Sequence, residues 1–280
     1  MAGGFAASRA SKRTTLACAS VTTFLGGLGL LGWVTPWRGL ASLYPGSIPM
    51  APSTALVLLL LGGTLILEAR RPSPRLTRAV SLLVLIFACV QLARFVAGLP
   101  PTLDALLVSE PAMFGGVPTG RMSPVTAFGL LLASLSLLFI GLASSHRALD
   151  AAGASLALAV WLLGVVVTLG YLFDAPLLYG GAVVPMAFPT ALAVGWLGLA
   201  LVGLSPRDSA LLRPFTGSSA RAKLLRAFLP VAPAIVVGEL VFAQADGISP
   251  ALHTALTALL SASVVAAVVS YVAHGLGREL

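Results

Sequence analysis

Two ionisable residues late in the chain have types suited to proton chemistry, the carboxylic acid Glu239 and the imidazole His253. A tight turn from Asp246 to Pro250 lies between their apolar runs and can bring them face to face. Histidine titrates near neutrality, so such a pair at a membrane surface would sense protons. The second chemically suggestive pattern is repeated. Met50-Ala51-Pro52-Ser53-Thr54-Ala55, Met122-Ser123-Pro124-Val125-Thr126-Ala127 and Met186-Ala187-Phe188-Pro189-Thr190-Ala191 each open an apolar run, with Met, Thr and Ala at constant spacing. A helix start carries unpaired N–H groups and the positive end of the helix dipole, so Pro52, Thr54, Pro124, Thr126, Pro189 and Thr190 mark an outer rim able to surround an anion or polar ligand.

The same residues have a purely structural use. Proline fits the first helical turn because its missing N–H would have no partner there, and Ser123 is suited to capping the second copy. A small residue follows each Thr by eight positions (Gly62, Ser134, Gly198), which lies about 80° around a helix. Small residues let membrane helices approach closely. Pro230 and Pro233 would kink a late helix, and Arg94 with Asp174 is a further possible pairing at helix ends.

Other chemistries find no residues to carry them. A retinal pigment needs a lysine within a span, but both lysines, Lys12 and Lys223, sit in basic segments. Haem ligation wants facing histidines inside a bundle, whereas His146, His253 and His274 fall near helix ends. Cys18 and Cys89 lie in apolar runs far from any ligand partner and read as small buried hydrophobes. There is no phosphate-binding glycine loop, nucleophile elbow or metalloprotease motif. No catalytic site, cofactor or metal is expected.

The elements that must position these residues are membrane helices. The chain of 280 residues is 58% hydrophobic and 9% charged, with a mean hydropathy of +1.00; soluble domains carry about 25% charged residues. A span needs about 20 apolar residues, and eight segments qualify: 14–34, 52–69, 78–97, 123–145, 151–172, 188–205, 224–244 and 251–274. The expected fold is an all-α integral membrane protein with about eight transmembrane helices. They form three repeated hairpins (14–69, 78–145, 151–205) and a terminal hairpin (224–274), between a basic segment 1–13 and a short tail 275–280.

The net charge of +8 would suggest nucleic acid in a soluble protein, but here it reports orientation and no nucleic-acid partner is expected. With the N-terminus in the cytoplasm, only Arg38, Arg94 and Arg121 of the 17 Lys and Arg fall outside. That asymmetry places both termini in the cytoplasm. The stretch from Leu99 to Arg121 is too small for its own core, so any structure in it must lean on the helices.

At its Met-x-x-x-Thr-Ala copies, and above all at Arg121-Met122-Ser123-Pro124-Val125-Thr126-Ala127 with its leucine-rich continuation, the chain resembles the multi-span N-terminal regions of bacterial sensor histidine kinases. Related signalling proteins carry PAS or diguanylate cyclase modules after similar regions. The likeness covers nearly the whole chain, including a last hairpin similar to Ala227 to Ala273. The resemblance implies a non-catalytic sensory and signal-transducing module of a bacterial cytoplasmic (inner) membrane. Its partners would be the lipid bilayer, a cytoplasmic kinase or other signalling output protein, and a second copy in a homodimer. In such proteins the last helix continues into an output domain, whereas the residues here after the last span are Gly275-Leu276-Gly277-Arg278-Glu279-Leu280, with no phosphoacceptor region or ATP-binding module. A small-solute transporter or permease and a structural subunit of a membrane complex are the competing expectations.

Overall fold

A run of some twenty apolar residues in a bilayer must satisfy its backbone internally, and a helix does so without a neighbour. The computed structural model describes residues 9–43, 47–99, 104, 113–114, 117–118, 120–142, 147–173 and 184–205. All belong to Met1–Pro206, the first of two units into which the chain divides. The segments 224–244 and 251–274, and with them Glu239, His253, Pro230 and Pro233, lie outside the described residues, as do His146, Asp174 and His274.

The described elements are α1 (Arg9–Val34), a single turn α2 (Gly39–Ser42), α3 (Pro52–Arg70), α4 (Pro74–Val96), a two-residue antiparallel ladder β1 (Met113–Phe114) and β2 (Val117–Pro118), α5 (Pro124–Leu142), α6 (Arg147–Leu172) and α7 (Phe188–Leu204). Apart from the ladder, the described protein is helical. Helices α1, α3, α4, α5 and α6 are each long and apolar enough to cross a membrane, the make-up of a multi-pass membrane protein. Helix α7, with 17 residues, rises about 25 Å, a little less than the ~30 Å hydrocarbon layer.

Several helices start earlier than apolarity alone suggests. Helix α1 begins at Arg9 and α4 at Pro74, because Lys and Arg are good helix formers and the first turn tolerates proline. The turn from α3 to α4 is stitched by Glu68, whose carboxylate accepts the Ser73 N–H (2.9 Å) and the Thr77 hydroxyl (2.6 Å). Helix α4 ends at Gly98, whose φ of +65° turns the chain back. The N–H of Leu99 then reaches the Arg94 carbonyl and that of Gly98 the Phe95 carbonyl, the paired bonds that close a helix on a left-handed glycine.

The helices pair chiefly as α1 with α3, α4 with α5, and α6 with α7, while α1 also packs on α7 and α5 on α6. Within each pair the second helix is the more enclosed. In the most apolar stretch, 61% of α3 and 50% of α5 are buried, against 33% of α1, 33% of α6 and 22% of α4. Helix α7 buries Val194, Leu197 and Leu201 in the same cluster as Leu58, Leu61 and Leu65 of α3 and Leu130 and Leu137 of α5. The exposed Leu82, Leu83, Ile86 and Val90 of α4 suit acyl chains. Cys89 is exposed on that helix, whereas Cys18 is buried; only Cys18 is the buried small hydrophobe the sequence suggested.

Glycine sets the spacing within two of the pairs, α1 with α3 and α6 with α7. A Cβ at Gly198 would come within 2.3 Å of the Trp161 amide nitrogen, one at Gly164 within 2.3 Å of the Gly195 nitrogen, and one at Gly62 within 2.4 Å of the Thr23 hydroxyl. Two of the small residues eight positions after the repeat threonines, Gly62 and Gly198, therefore sit at close helix crossings, and Ser134 is fully buried. Buried hydroxyls of Thr22, Thr64, Ser81 and Ser134 donate to carbonyls three or four residues back, which satisfies them without water. Ser136 crosses from α5 to the Gly153 carbonyl of α6 (2.8 Å).

These contacts predict opposite outcomes for one chemical change. Gly198→Ala and Gly164→Ala should each destabilise the protein by about 1–3 kcal/mol through overpacking against backbone. A Cβ at Gly63 meets nothing within 4 Å, so Gly63→Ala should be neutral or stabilise by up to ~1 kcal/mol. Thermal unfolding of the three variants in one detergent measures the difference; equal losses at all three positions would contradict the close-crossing assignment.

Candidate functional site at the repeat end

The three phrases begin their helices in the same register despite the displaced proline. In each, the residue after Met is the N-cap, and its carbonyl accepts the first intrahelical bond from the final Ala of the phrase: Ala55 to Ala51, Ala127 to Ser123 and Ala191 to Ala187, all 3.0 Å. Ala51 and Ala187 approach with nearly identical backbone angles (φ −64°, ψ 144° and φ −63°, ψ 146°). Thr54, Thr126 and Thr190 therefore all occupy the third helical position, where the amide N–H has no intrahelical partner. They are 1%, 2% and 2% exposed.

All three threonines line one small cavity, together with Ala51, Ser123, Ala187 and the side of Arg121. Its volume is about 10 Å³, room for roughly one water molecule. The structure thus brings Thr54, Thr126 and Thr190 together around a common point. Pro52 and Pro124 open their helices, and Pro189 follows Phe188 in the third; none of the three prolines lines the cavity. Helix starts that meet at a polar, water-sized space are suited to holding a water or a small anion.

Each copy handles its unpaired N–H groups differently. In the second, Ser123 is the N-cap, its hydroxyl accepting the Thr126 N–H (3.0 Å) and pairing with the Thr126 hydroxyl (2.9 Å). In the third, Pro189 has no N–H to satisfy at the position where the first copy has Ser53. In the first, the Ser53 N–H donates to Asp104 Oδ1 at 3.0 Å, and Asp104 Oδ2 accepts the Met122 N–H at 2.9 Å. One carboxylate thereby joins the start of α3 to the approach of α5. Asp104 is 1% exposed.

The preceding methionines are anchored too. The Trp33 indole donates to the Met50 carbonyl (2.8 Å), and the Tyr171 hydroxyl donates to the Met186 carbonyl (2.6 Å). Each donor stands at the end of the first helix of its hairpin. Tyr171 also packs edge-on against Phe188, ring centroids 5.6 Å apart, and Arg38 lies 5.7 Å from the centre of the Trp33 ring, a cation–π distance. Trp37 is largely exposed, as an interfacial aromatic would be.

Burial pushes the Asp104 carboxyl above the ordinary aspartate range. Hydrogen bonds from Ser53 and Met122 and the charge of Arg121 oppose that rise without cancelling it. Asp104 is not among the residues whose type and spacing marked them as candidates. Its signal was available in hindsight: a lone acid in Leu103-Asp104-Ala105-Leu106-Leu107 stands among apolar neighbours, where a charge needs dedicated partners. Among the described residues, no group of three His, Cys, Asp or Glu is placed to hold a metal.

Asp104→Ala leaves two N–H groups without an acceptor and should lower stability by about 2–4 kcal/mol, with Asp104→Asn, which keeps one acceptor oxygen, losing less. A carboxyl whose folded pKa is raised binds its proton more tightly folded than unfolded. Stability from this group is therefore full below the unfolded value near ~3.9 and declines as pH rises through the raised one. Unfolding midpoints between pH 3 and pH 8 should show that decline in the native chain and not in Asp104→Asn. Searches against protein families, curated proteins and solved structures find no match to the chain.

Proposed function

We propose that this protein is a non-catalytic sensory module embedded in a bacterial cytoplasmic membrane, similar to the input region of a sensor histidine kinase. The observation that carries this reading is the buried Asp104 bridge between the start of α3 and the approach to α5, beside the cavity where the three threonines meet. In this reading the tie, held by one titratable group and shared between two hairpins, switches between the bridged arrangement and a released one. The helices it ties run to the opposite, basic end. A change at the repeat end is thereby coupled to the far side of the bundle through packed helices.

In this reading the repeat end faces outward, the basic residues Lys12, Arg13, Arg70, Arg71 and Arg75 face the cytoplasm, and eight spans return the C-terminus to that side. The terminal hairpin, with Glu239 and His253 as a further proton-responsive pair, carries the movement to a cytoplasmic kinase or other output protein, within a homodimer. The interior of the described bundle favours signalling over carriage. Leu58, Leu61, Leu65, Leu130, Leu137, Leu197 and Leu201 fill it, with no buried charge among the described residues midway along the helices of the kind carriers use.

The test uses the full chain joined through its C-terminus to a histidine kinase catalytic region. Asp104→Asn should change autophosphorylation by about fivefold or more, the lower range of allosteric coupling, and cross-linking the span 251–274 to a neighbouring helix should abolish the difference. Kinase activity indifferent to both changes, with solute flux into sealed vesicles bearing the chain alone, would identify a carrier instead.

A further inference from the structure

At the other end of the bundle lies a larger cavity that the sensory reading does not use. Its volume is about 330 Å³, and it opens among Lys12 and Thr15 of α1, Glu68 of α3, Thr77 and Arg78 of α4, and the ends of α5 and α7. That volume falls at the lower end for small-molecule sites. Two buried polar atoms on its wall, Thr15 Oγ1 and Arg78 Nε, have no hydrogen-bond partner among the described residues, and Thr15 is 1% exposed. Buried polar groups are almost always paired. Two such orphans behind one wall give it more polar character than its own hydrogen bonds satisfy.

The charge and polarity of the wall identify its class. Arg78 gives one bond, from Nη2 to the Gly141 carbonyl at 3.2 Å, and Lys12 is exposed at the mouth. The carboxylate on the wall, Glu68, is already engaged by the Ser73 N–H and the Thr77 hydroxyl. Among the described residues the wall thus carries two cations against one carboxylate whose hydrogen bonds are directed elsewhere, an arrangement that favours an anion. The remaining wall is apolar, with Leu137, Ile140 and Leu204 beside the donors. A soluble anion would leave that surface wet. An amphiphile covers both, and the ends of membrane helices are where lipid headgroups lie.

We propose that this cavity binds an anionic phospholipid, with the phosphate held by Lys12 and Arg78 and the first carbons lying along Leu137, Ile140 and Leu204. The tails continue into the bilayer. The site is independent of the sensory reading, since it requires neither Asp104 nor an output partner.

Native mass spectrometry of the full chain in detergent, titrated with phosphatidylglycerol or phosphatidylcholine of identical tails, tests it. Phosphatidylglycerol should bind preferentially, and Lys12→Gln with Arg78→Gln should weaken it by roughly 30-fold, from about fivefold per cation. The comparison double variant Arg71→Gln with Arg75→Gln removes the same charge from exposed positions off the cavity wall and should leave binding within about twofold. Lys12→Gln alone changes an exposed side chain and keeps the test valid if the Arg78 variant fails to fold; about fivefold weakening is expected. Equal binding of the zwitterionic lipid, or equal weakening by the comparison variant, would overturn the assignment. So would displacement of the lipid by millimolar inorganic phosphate with the same dependence on Lys12 and Arg78, which would make the occupant a soluble phosphate.

Discussion

A helix that begins inside a protein has several amide N–H groups with no carbonyl to receive them, and α3, α5 and α7 all begin among buried residues. Water cannot satisfy such groups freely, and each one left unpaired costs about 1–3 kcal/mol. Much of the described repeat end answers this constraint. Proline removes a donor, Ser123 caps one, Asp104 accepts from two backbone segments, and the threonines face a space for about one water. The indole of Trp33 and the phenol of Tyr171 fix the carbonyls just upstream, which sets where each chain segment enters its helix.

Once those starts are fixed in common register, packing below them follows. Helices α3 and α7 approach their hairpin partners at glycine crossings, Gly62 on α1 and Gly198 on Trp161. In hydrocarbon there is little hydrophobic advantage in helix association, so close backbone approach and van der Waals contact take its place. The large leucines then interlock at the centre, and α4, with the smallest buried share of the five spanning helices, turns its apolar surface outward. A packed core of this kind deforms little within itself. Asp104 joins two of these hairpins at their repeat end.

The two ends of the bundle differ in physical character for the same reason. At the repeat end the helix starts converge, their partners are short-range and their free volume is about 10 Å³. At the basic end Arg78 and Thr15 retain polar atoms with no partner among the described residues, beside about 330 Å³ of space. One end is closed by its own side chains, and the other presents cations and apolar surface together.

Membrane character, the repeat and its helix starts were legible in the amino-acid sequence, because they depend on local composition and spacing. An apolar run long enough to span must become a helix, and proline at a run's edge marks its first turn. The cap at Ser123 and the small residues at Gly62, Ser134 and Gly198 were readable on the same basis. Tertiary structure decided that Thr54, Thr126 and Thr190 meet at one point, that Cys89 faces outward, and that Asp104 reaches Ser53 across 51 positions of sequence. Helical periodicity states which residues share a face but carries no information about which distant face it meets. The lone acid in an apolar stretch announced a need for partners; only the folded chain could choose the two amide groups that meet it.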